Sequence, residues 1–342
     1  MSNMKEAVGK RNLYILLILL LLVLIVVVVV TVTAKQQTGN VADSTSASSQ
    51  SEEETEKWQE GVIQYNNKGY QYNNQLKIYL LMGVDTELTV NESINSKEDP
   101  GQSDAMFLLV ADPQTMQMSV ISINRNTMTR IEAFSESGGS VGYYNMQLCL
   151  QYAYGDGANL SCARTVEAVS YLFYNLPING YLSVNMGAIP KINDAVGGVE
   201  VEILEDMEGD GITLTKGERV LLDGQQAYLY LRGRDVDQFD SSTDRLRRQE
   251  QYISNYLEKM NQAPAMDAQN GINVYNSISD YIVTNMDAAQ VITELMEYDF
   301  DSSRMYTVPG ETKMGETFEE FSVDNEEFYK IILDVFYKEV VS

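Results

Sequence analysis

Histidine is absent from all 342 residues of the chain. That excludes Ser-His and Cys-His nucleophile pairs and every His-ligated metal site, so any chemistry must run on carboxylates, Arg, Lys, Tyr and hydroxyls. Basic charge is scarce: 24 Lys+Arg stand against 49 Asp+Glu, a net charge of -25. A chain so acidic repels nucleic acid and anionic membrane at long range, and it can meet a phosphate-rich ligand only through a local basic site or a bridging cation. Cysteine is limited to Cys149 and Cys162, and no internal repeat is visible.

What is present begins with a long apolar run. Leu13 to Ala34, "LYILLILLLLVLIVVVVVTVTA", carries no charge and at 1.5 Å per residue spans roughly 30 Å, the thickness of a bilayer core. Lys5, Lys10 and Arg11 precede it and "SEEETE" follows at a distance, so the positive-inside rule puts residues 1–12 in the cytoplasm and everything after the 13–34 anchor outside the cell. A cleaved signal peptide ending at "VTA" is the other reading, but the run exceeds the usual apolar core of such a peptide. Residues 35–60 form a linker, Ser/Thr/Gln/Ala-rich to about Ser51. On the outer side a Cys149–Cys162 disulfide is one possibility, across the turn "YGDGAN"; two separate buried thiols is the other.

From there 44% hydrophobic content suits a globular core, and the pattern alternates short apolar runs with helical spacing, an α/β domain. The spacing predicts strands at 76–83, 105–112, 117–124, 180–186, 199–204 and 304–309. It predicts helices over 52–65, 145–154, 161–175, 188–196, 224–231, 244–260, 287–297 and 325–341. Residues 61–262 read as the principal domain and 263–342 as a part completing or extending it.

Against the acidic background, five of the eleven arginines lie between Arg232 and Arg248. On a helix opening at Asp244, Leu246, Ile253, Leu257 and Met260 share one stripe, while Arg245, Arg248, Gln249 and Tyr252 share the neighbouring arc and Arg247 points away. Arg232 and Arg234 alternate just before it in "LRGR". Convergent guanidiniums are the preferred grip on a diphosphate, each charge-assisted hydrogen bond contributing roughly 1.5 to 3 kcal/mol. A solvated face paired with Asp240, Asp244 and Glu250 is the alternative. Asp85, just past one predicted strand, and Asp104, opening the next, can share a sheet edge and, with phosphate oxygens, hold a divalent cation.

Six blocks, "LLMGVDT" (80–86), "SDAMFLLVADP" (103–113), "VISINRNTM" (120–128), "NDAVGGVEVEI" (193–203), "LDGQQAYLYLRGR" (222–234) and "DRLRRQEQ" (244–251), occur in order and together resemble the LytR-CpsA-Psr family of cell-envelope proteins. The resemblance implies a three-layer α/β/α sandwich around a mixed central sheet, with an apolar pocket for a lipid tail. It implies a membrane-bound phosphotransferase that moves an anionic glycopolymer such as teichoic acid or capsule from a polyprenyl-pyrophosphate carrier to the muramic acid hydroxyl of peptidoglycan. Carried over, Asp85 and Asp104 match the positions associated with Mg2+ (or Mn2+), Arg232, Arg245 and Gln249 match diphosphate contacts, Arg234 and Arg248 match further recurrent arginines, and Arg125 lies near the reacting phosphate. Asp85 is also the candidate base.

Four features depart from the family pattern: Gln102 stands where an arginine is common, Asn124-Arg125-Asn126 replaces "PRD", Ser242 replaces an acidic residue, and the segment from Thr86 to Ser103 is long. They keep two alternatives open, a non-catalytic binder and a pyrophosphohydrolase of lipid-linked polymer. A transcriptional regulator is the remote alternative, opposed by the charge and the outward topology; no nucleic-acid partner is expected.

Overall fold

In the computed structural model, which describes residues 61–96, 101–135, 137–235, 237–262, 268–287 and 298–340, the first element is a hairpin. β1 (Val62–Tyr65) and β2 (Lys68–Tyr72) pair through Asn66-Asn67, whose φ angles of 49° and 62° make the mirror-image turn that suits a tight hairpin. This corrects the expected helix over 52–65 at its C-terminal end: the Asn-Asn turn fixes Val62–Tyr65 as a strand. The rest of that helix, the 13–34 anchor, the 1–12 tail and the 35–60 linker lie outside the described residues. Among the described residues no helix is long and apolar enough to cross a membrane.

The apolar runs then build the central sheet. β3 (Lys77–Val84), β4 (Ser103–Asp112) and β5 (Gln117–Ile123) are consecutive antiparallel neighbours. A second hairpin, β6 (Met128–Phe134) with β7 (Ser140–Gln147), follows. It overturns most of the expected 145–154 helix, since pairing with β6 holds Asn145–Gln147 extended and leaves only Leu150–Ala153 helical. After the helix Asn159–Leu172, β8 (Gly180–Asn185) returns parallel to β3. The helix Ile189–Ala195 leads to a small lobe of β9 (Val199–Glu202), the hairpin of β10 (Met207–Gly209) and β11 (Ile212–Leu214), and β12 (Arg219–Leu222). Two helices, Gly224–Arg232 and Ser241–Gln262, carry the arginines, and Ala268–Ile278 follows.

The last residues thread back into the same sheet. β13 (Ile282–Thr284) pairs with β8 and β14 (Asp299–Thr307) runs parallel to β5, closing the six-stranded order β13-β8-β3-β4-β5-β14. A hairpin of β15 (Gly310–Met314) and β16 (Glu319–Val323) precedes the helix Asn325–Phe336. That helix stops short of the expected 325–341 span: Tyr337–Val340 becomes β17 against β2, with Tyr337 edge-on to Tyr72 at 5.7 Å. The expected helix over 287–297 falls almost wholly outside the described residues.

Strand alternation sends Ile78, Leu80, Met82, Leu108, Val110, Ile121 and Ile123 to one face, where Val169, Phe173, Phe328, Ile332 and Phe336 from helices 159–172 and 325–336 cover them. The opposite face carries Tyr79, Phe107, Leu109, Met118 and Val120 against Leu246 and Leu257 of the long helix. The result is a mixed α/β fold around a mixed central sheet with helices packed on both of its faces. The third core lies beneath the small lobe, where Val199, Val201, Leu222, Ala227, Tyr230 and Tyr252 meet.

Candidate functional site

The β3–β4 ladder generates the first part of the site. Gly83 pairs with Ala105 but Val84 pairs with Ser103, so Asp104 is the extra residue of a bulge. A bulge interrupts the strict up-down alternation and re-aims the side chain at that point. Asp85 follows directly on β3, its amide bonded to the Gln102 carbonyl at 3.1 Å. Gly101 makes the tight entry into β4 at φ +85, where an added Cβ would strain the backbone and touch Val84 at 3.0 Å. Antiparallel pairing therefore brings the two sequence-predicted aspartates, Asp85 and Asp104, to one cleft of about 720 Å³.

Four guanidiniums line the cleft with them. Arg125 Nε lies 2.8 Å from Asp104 Oδ1 and Arg245 Nη1 lies 2.9 Å from Asp104 Oδ2. The Arg245 and Asp104 side chains are only 5% and 6% exposed. Arg234 lines the same wall, and Arg232 lines it nearer solvent with 52% of its side chain exposed. Despite these contacts, Asp104 Oδ1, Arg125 Nε, Arg234 Nε and Arg245 Nη2 are buried with no hydrogen-bond partner. The 2.8 Å Arg125–Asp104 approach is thus an ion pair without hydrogen-bond alignment. Buried donors left unmatched cost roughly 1 to 3 kcal/mol each, so Arg234 Nε and Arg245 Nη2, which face no such partner, are the atoms that would hold a ligand's oxygens most strongly. Burial lowers the pKa of Arg245, with Asp104 opposing and Arg125 and Arg234 adding to the fall.

Arg125 is fixed from behind by two residues. Its Nη2 donates to Gln102 Oε1 and to Cys149 Sγ, the latter at 3.1 Å. Cys149 and Cys162 are separate buried thiols, which settles the open disulfide question. Burial pushes both thiols up, Cys162 to about 12. The neighbouring Asn126 turns away from the cleft, donating to Ser242 Oγ at 2.9 Å and Glu319 Oε2 at 3.4 Å and accepting from Gln147 Nε2 at 3.0 Å.

Arg248 corrects the sequence expectation. It shares the arc of Arg245 as the spacing predicts and is buried, but its guanidinium donates to the carbonyls of Tyr230 and Gly233 and sits 2.8 Å from Glu205. It thereby caps the C-terminal carbonyls of the helix Gly224–Arg232, where a cation is favoured, and does not line the cleft. The chain closes tightly at Gly233, where a Cβ would come within 2.3 Å of Met207 Cε and 2.8 Å of the Leu229 carbonyl. Gln249 also lies off the cleft, its Nε2 donating to Leu231 O at 3.3 Å on the wall of a second cavity. Arg247 is exposed and paired with Asp244 at 3.0 Å, as its flank position predicts.

That second cavity, of about 300 Å³, adjoins the cleft at Asp104 and is apolar. Leu81, Gly83, Ala105, Phe107 and Leu109 form its floor from one face of β3 and β4, and the small Gly83–Ala105 pair opens the space. Tyr252, Ile253, Tyr256 and Met260, successive turns of the long helix, form one wall, and Val274, Tyr275 and Ile278 line it from the helix Ala268–Ile278. The long helix therefore runs from Arg245 in a charged cleft to Met260 in an apolar one, over roughly 22 Å.

Sequence reasoning missed three cleft residues. Glu208 on β10 and Asp210 in the turn that follows form part of its wall, and Tyr228 donates its hydroxyl to Glu87, with burial and that acceptor raising the phenol's pKa. The "EGDG" stretch reads as an ordinary turn, and nothing local distinguishes it. No group of three or more carboxylates or thiols within metal-binding reach occurs among the described residues. Mg2+, however, uses one or two carboxylates with phosphate and water, and Asp85 and Asp104 line one cleft as such a donor pair, with Asp104 also facing Arg125 and Arg245.

A mixed α/β protein with a guanidinium-lined cleft backing onto an apolar cavity has room for an anionic head beside an apolar tail. Residues 29–332 match the LytR_cpsA_psr family, and the chain belongs to it. It is 29% identical over 207 residues to the polyisoprenyl-teichoic acid--peptidoglycan teichoic acid transferase TagU of Enterococcus faecalis, a match spanning 60% of each protein. The crystal structure of Bacillus subtilis TagV shares the fold with a TM-score of 0.59 at 23% identity, over 77% of this chain and 96% of that one. A structure described as TagT bound to LIIa-WTA shares it at 0.55 and 18% identity, over 77% and 90%.

Proposed function

We propose that this protein is a membrane-anchored phosphotransferase that moves a glycopolymer from a polyprenyl-pyrophosphate carrier to the muramic acid hydroxyl of peptidoglycan. In this reading residues 13–34 hold it in the cell membrane with its N-terminus in the cytoplasm, and the domain from 61 onward acts outside. The observation that carries the reading is the pair of unmatched buried donors on Arg234 and Arg245, beside the Arg125–Asp104 ion pair, at the head of an apolar cavity. Family membership and the name of the TagU relative support it.

The chemistry follows from the parts. Phosphoryl transfer needs charge neutralisation and in-line positioning more than covalent catalysis, which a site without histidine can supply. The apolar cavity takes the start of the polyprenyl tail, placing the diphosphate among Arg125, Arg234 and Arg245. Arg245 and Arg234 hold the departing lipid phosphate, and Arg125, braced by Gln102 and Cys149, faces the phosphate under attack. The sugar hydroxyl oxygen forms a new bond to the glycan-bearing phosphorus as the bridging P–O bond breaks. Asp85, exposed on the cleft wall and without an ion-pair partner among the described residues, takes the hydroxyl proton, and polyprenyl phosphate leaves. Asp85 and Asp104 would hold Mg2+ (or Mn2+), which when bound adds positive charge against the diphosphate.

The test is incubation of the purified protein with a polyprenyl-pyrophosphate oligosaccharide, Mg2+ and peptidoglycan. Covalent, Arg125-dependent attachment of saccharide to peptidoglycan is expected. Release of free saccharide would identify a hydrolase instead, and retention without turnover a binder.

A further inference from the structure

The two ends of the cleft differ in charge. At the buried end, Arg125 and Arg245 crowd the single carboxylate of Asp104 and still leave donors unmatched. At the open end the balance reverses. Glu208 and Asp210 are exposed on the β10–β11 wall, and Glu87 reaches the Tyr228 hydroxyl and lies 4.0 Å from Arg232, the one exposed guanidinium lining the cleft. One solvated guanidinium at this end thus stands against three carboxylates, Glu87, Glu208 and Asp210. The apolar cavity joins the cleft at Asp104, at the buried end. A tail in that cavity and a diphosphate on the buried guanidiniums send whatever is attached to the far phosphate out past Glu87, Glu208 and Asp210, into the field of a chain of net charge -25.

We infer that the glycan on the diphosphate is uncharged over its first sugars, and that the acidic rim selects against glycans bearing phosphate or carboxylate there. The inference rests on the lipid-diphosphate reading of the cleft. Sugar hydroxyls donate hydrogen bonds, and exposed carboxylates are acceptors for them, so an uncharged glycan gains partners at this rim. An anionic glycan instead meets like charges within about one Debye length, ~8 Å at physiological salt, where repulsion is only partly screened. The site is thereby split by function: positive where the diphosphate is common to every carrier, negative where the carried polymers differ.

The experiment measures binding of two polyprenyl-pyrophosphate disaccharides to the full-length protein in detergent at ~50 mM and ~500 mM salt. They are identical except that one carries a carboxylate on its second sugar. The uncharged probe is expected to bind roughly three- to tenfold tighter at low salt, with the ratio shrinking at high salt. In a Glu208→Gln/Asp210→Asn variant the low-salt ratio should fall toward one. A carboxylated probe that binds as well as or better than the uncharged one, or a ratio untouched by the variant, overturns the charge selection while the lipid-diphosphate reading stands. Failure of both probes to bind more tightly than polyprenol overturns both.

Discussion

Replacing Arg245 with Ala tests the centre of the site, because the side chain is a buried ion-pair partner and, in the proposed function, a ligand contact. Its Nη1 is 2.9 Å from Asp104 Oδ2 with both side chains almost fully covered. At an effective dielectric constant near 20 the attraction alone is about 6 kcal/mol. Desolvation of the guanidinium and repulsion from Arg125 and Arg234 offset much of this, which is why the pKa of Arg245 falls. Truncation leaves Asp104 still paired with Arg125, so the expected loss of folding stability is about 3 kcal/mol, the lower end for breaking a buried pair. The ligand loses one charge-assisted hydrogen bond, about 1.5 to 3 kcal/mol, or roughly 10- to 150-fold in affinity. Urea unfolding followed by circular dichroism measures the first quantity and titration calorimetry with inorganic pyrophosphate the second. Arg245→Lys keeps the charge without the planar fork and should recover most of the stability but only part of the affinity. A stable Arg245→Ala protein with undiminished pyrophosphate binding would refute the placement of this side chain at the head of the cleft.

Arg248→Met should behave differently: loss of the cap on Tyr230 and Gly233 costs about 3 kcal/mol of stability, while pyrophosphate affinity of the folded protein changes less than tenfold. An unchanged urea midpoint with hundredfold weaker binding would return Arg248 to the ligand site. A second prediction concerns alkaline pH, where burial pushes Tyr230 and Tyr256 up to about 12. An unfolded tyrosine titrates near 10, so below that pH both states keep their protons and stability is complete. As pH rises from about 10 to 12 the unfolded state alone releases protons and stability falls. Melting temperatures recorded from pH 8 to 12 should be level at first and then drop steeply; a level curve throughout would contradict the burial of these phenols.

Much of this architecture was legible because strand and helix periods are local. β3, β4 and β5 follow from continuous apolar runs, and Arg245, Arg248, Gln249 and Tyr252 share one arc as 100° spacing requires; that this arc is buried and not solvated is what the structure adds. What the spacing does not carry is direction beyond the helix surface. Arg245 and Arg248 share an arc, yet one meets the bulge at Asp104 and the other the carbonyl end of the preceding helix, partners supplied by chain segments more than 100 and about 15 residues away. Asn145–Gln147 was misread for the same reason, since Leu148 and Tyr152 give helical spacing that the pairing of β7 with β6 overrides. The acidic rim from Glu208 and Asp210 was invisible, because its meaning depends wholly on which wall the small lobe presents.

The two departures from the family pattern nearest Arg125 take on a common meaning once their neighbours are known. Gln102 accepts a hydrogen bond from Arg125, and a second arginine at 102 would set two guanidiniums against one another where one carboxylate, Asp104, already serves two. Asn126 donates 3.4 Å to Glu319 of the β15–β16 hairpin and 2.9 Å to Ser242; an aspartate there would place two carboxylates in contact and remove the donor that Ser242 and Glu319 use. Glu319 in turn accepts from the amide of Asp240 at 2.7 Å, where the backbone turns through φ 62° into the arginine helix. Both substitutions therefore fit the local hydrogen bonding that braces Arg125 and starts the helix of Arg245. Gln102 leaves the cleft one guanidinium short of the family pattern but steadies Arg125, whereas Asn126 turns away from the cleft and takes no cation from it.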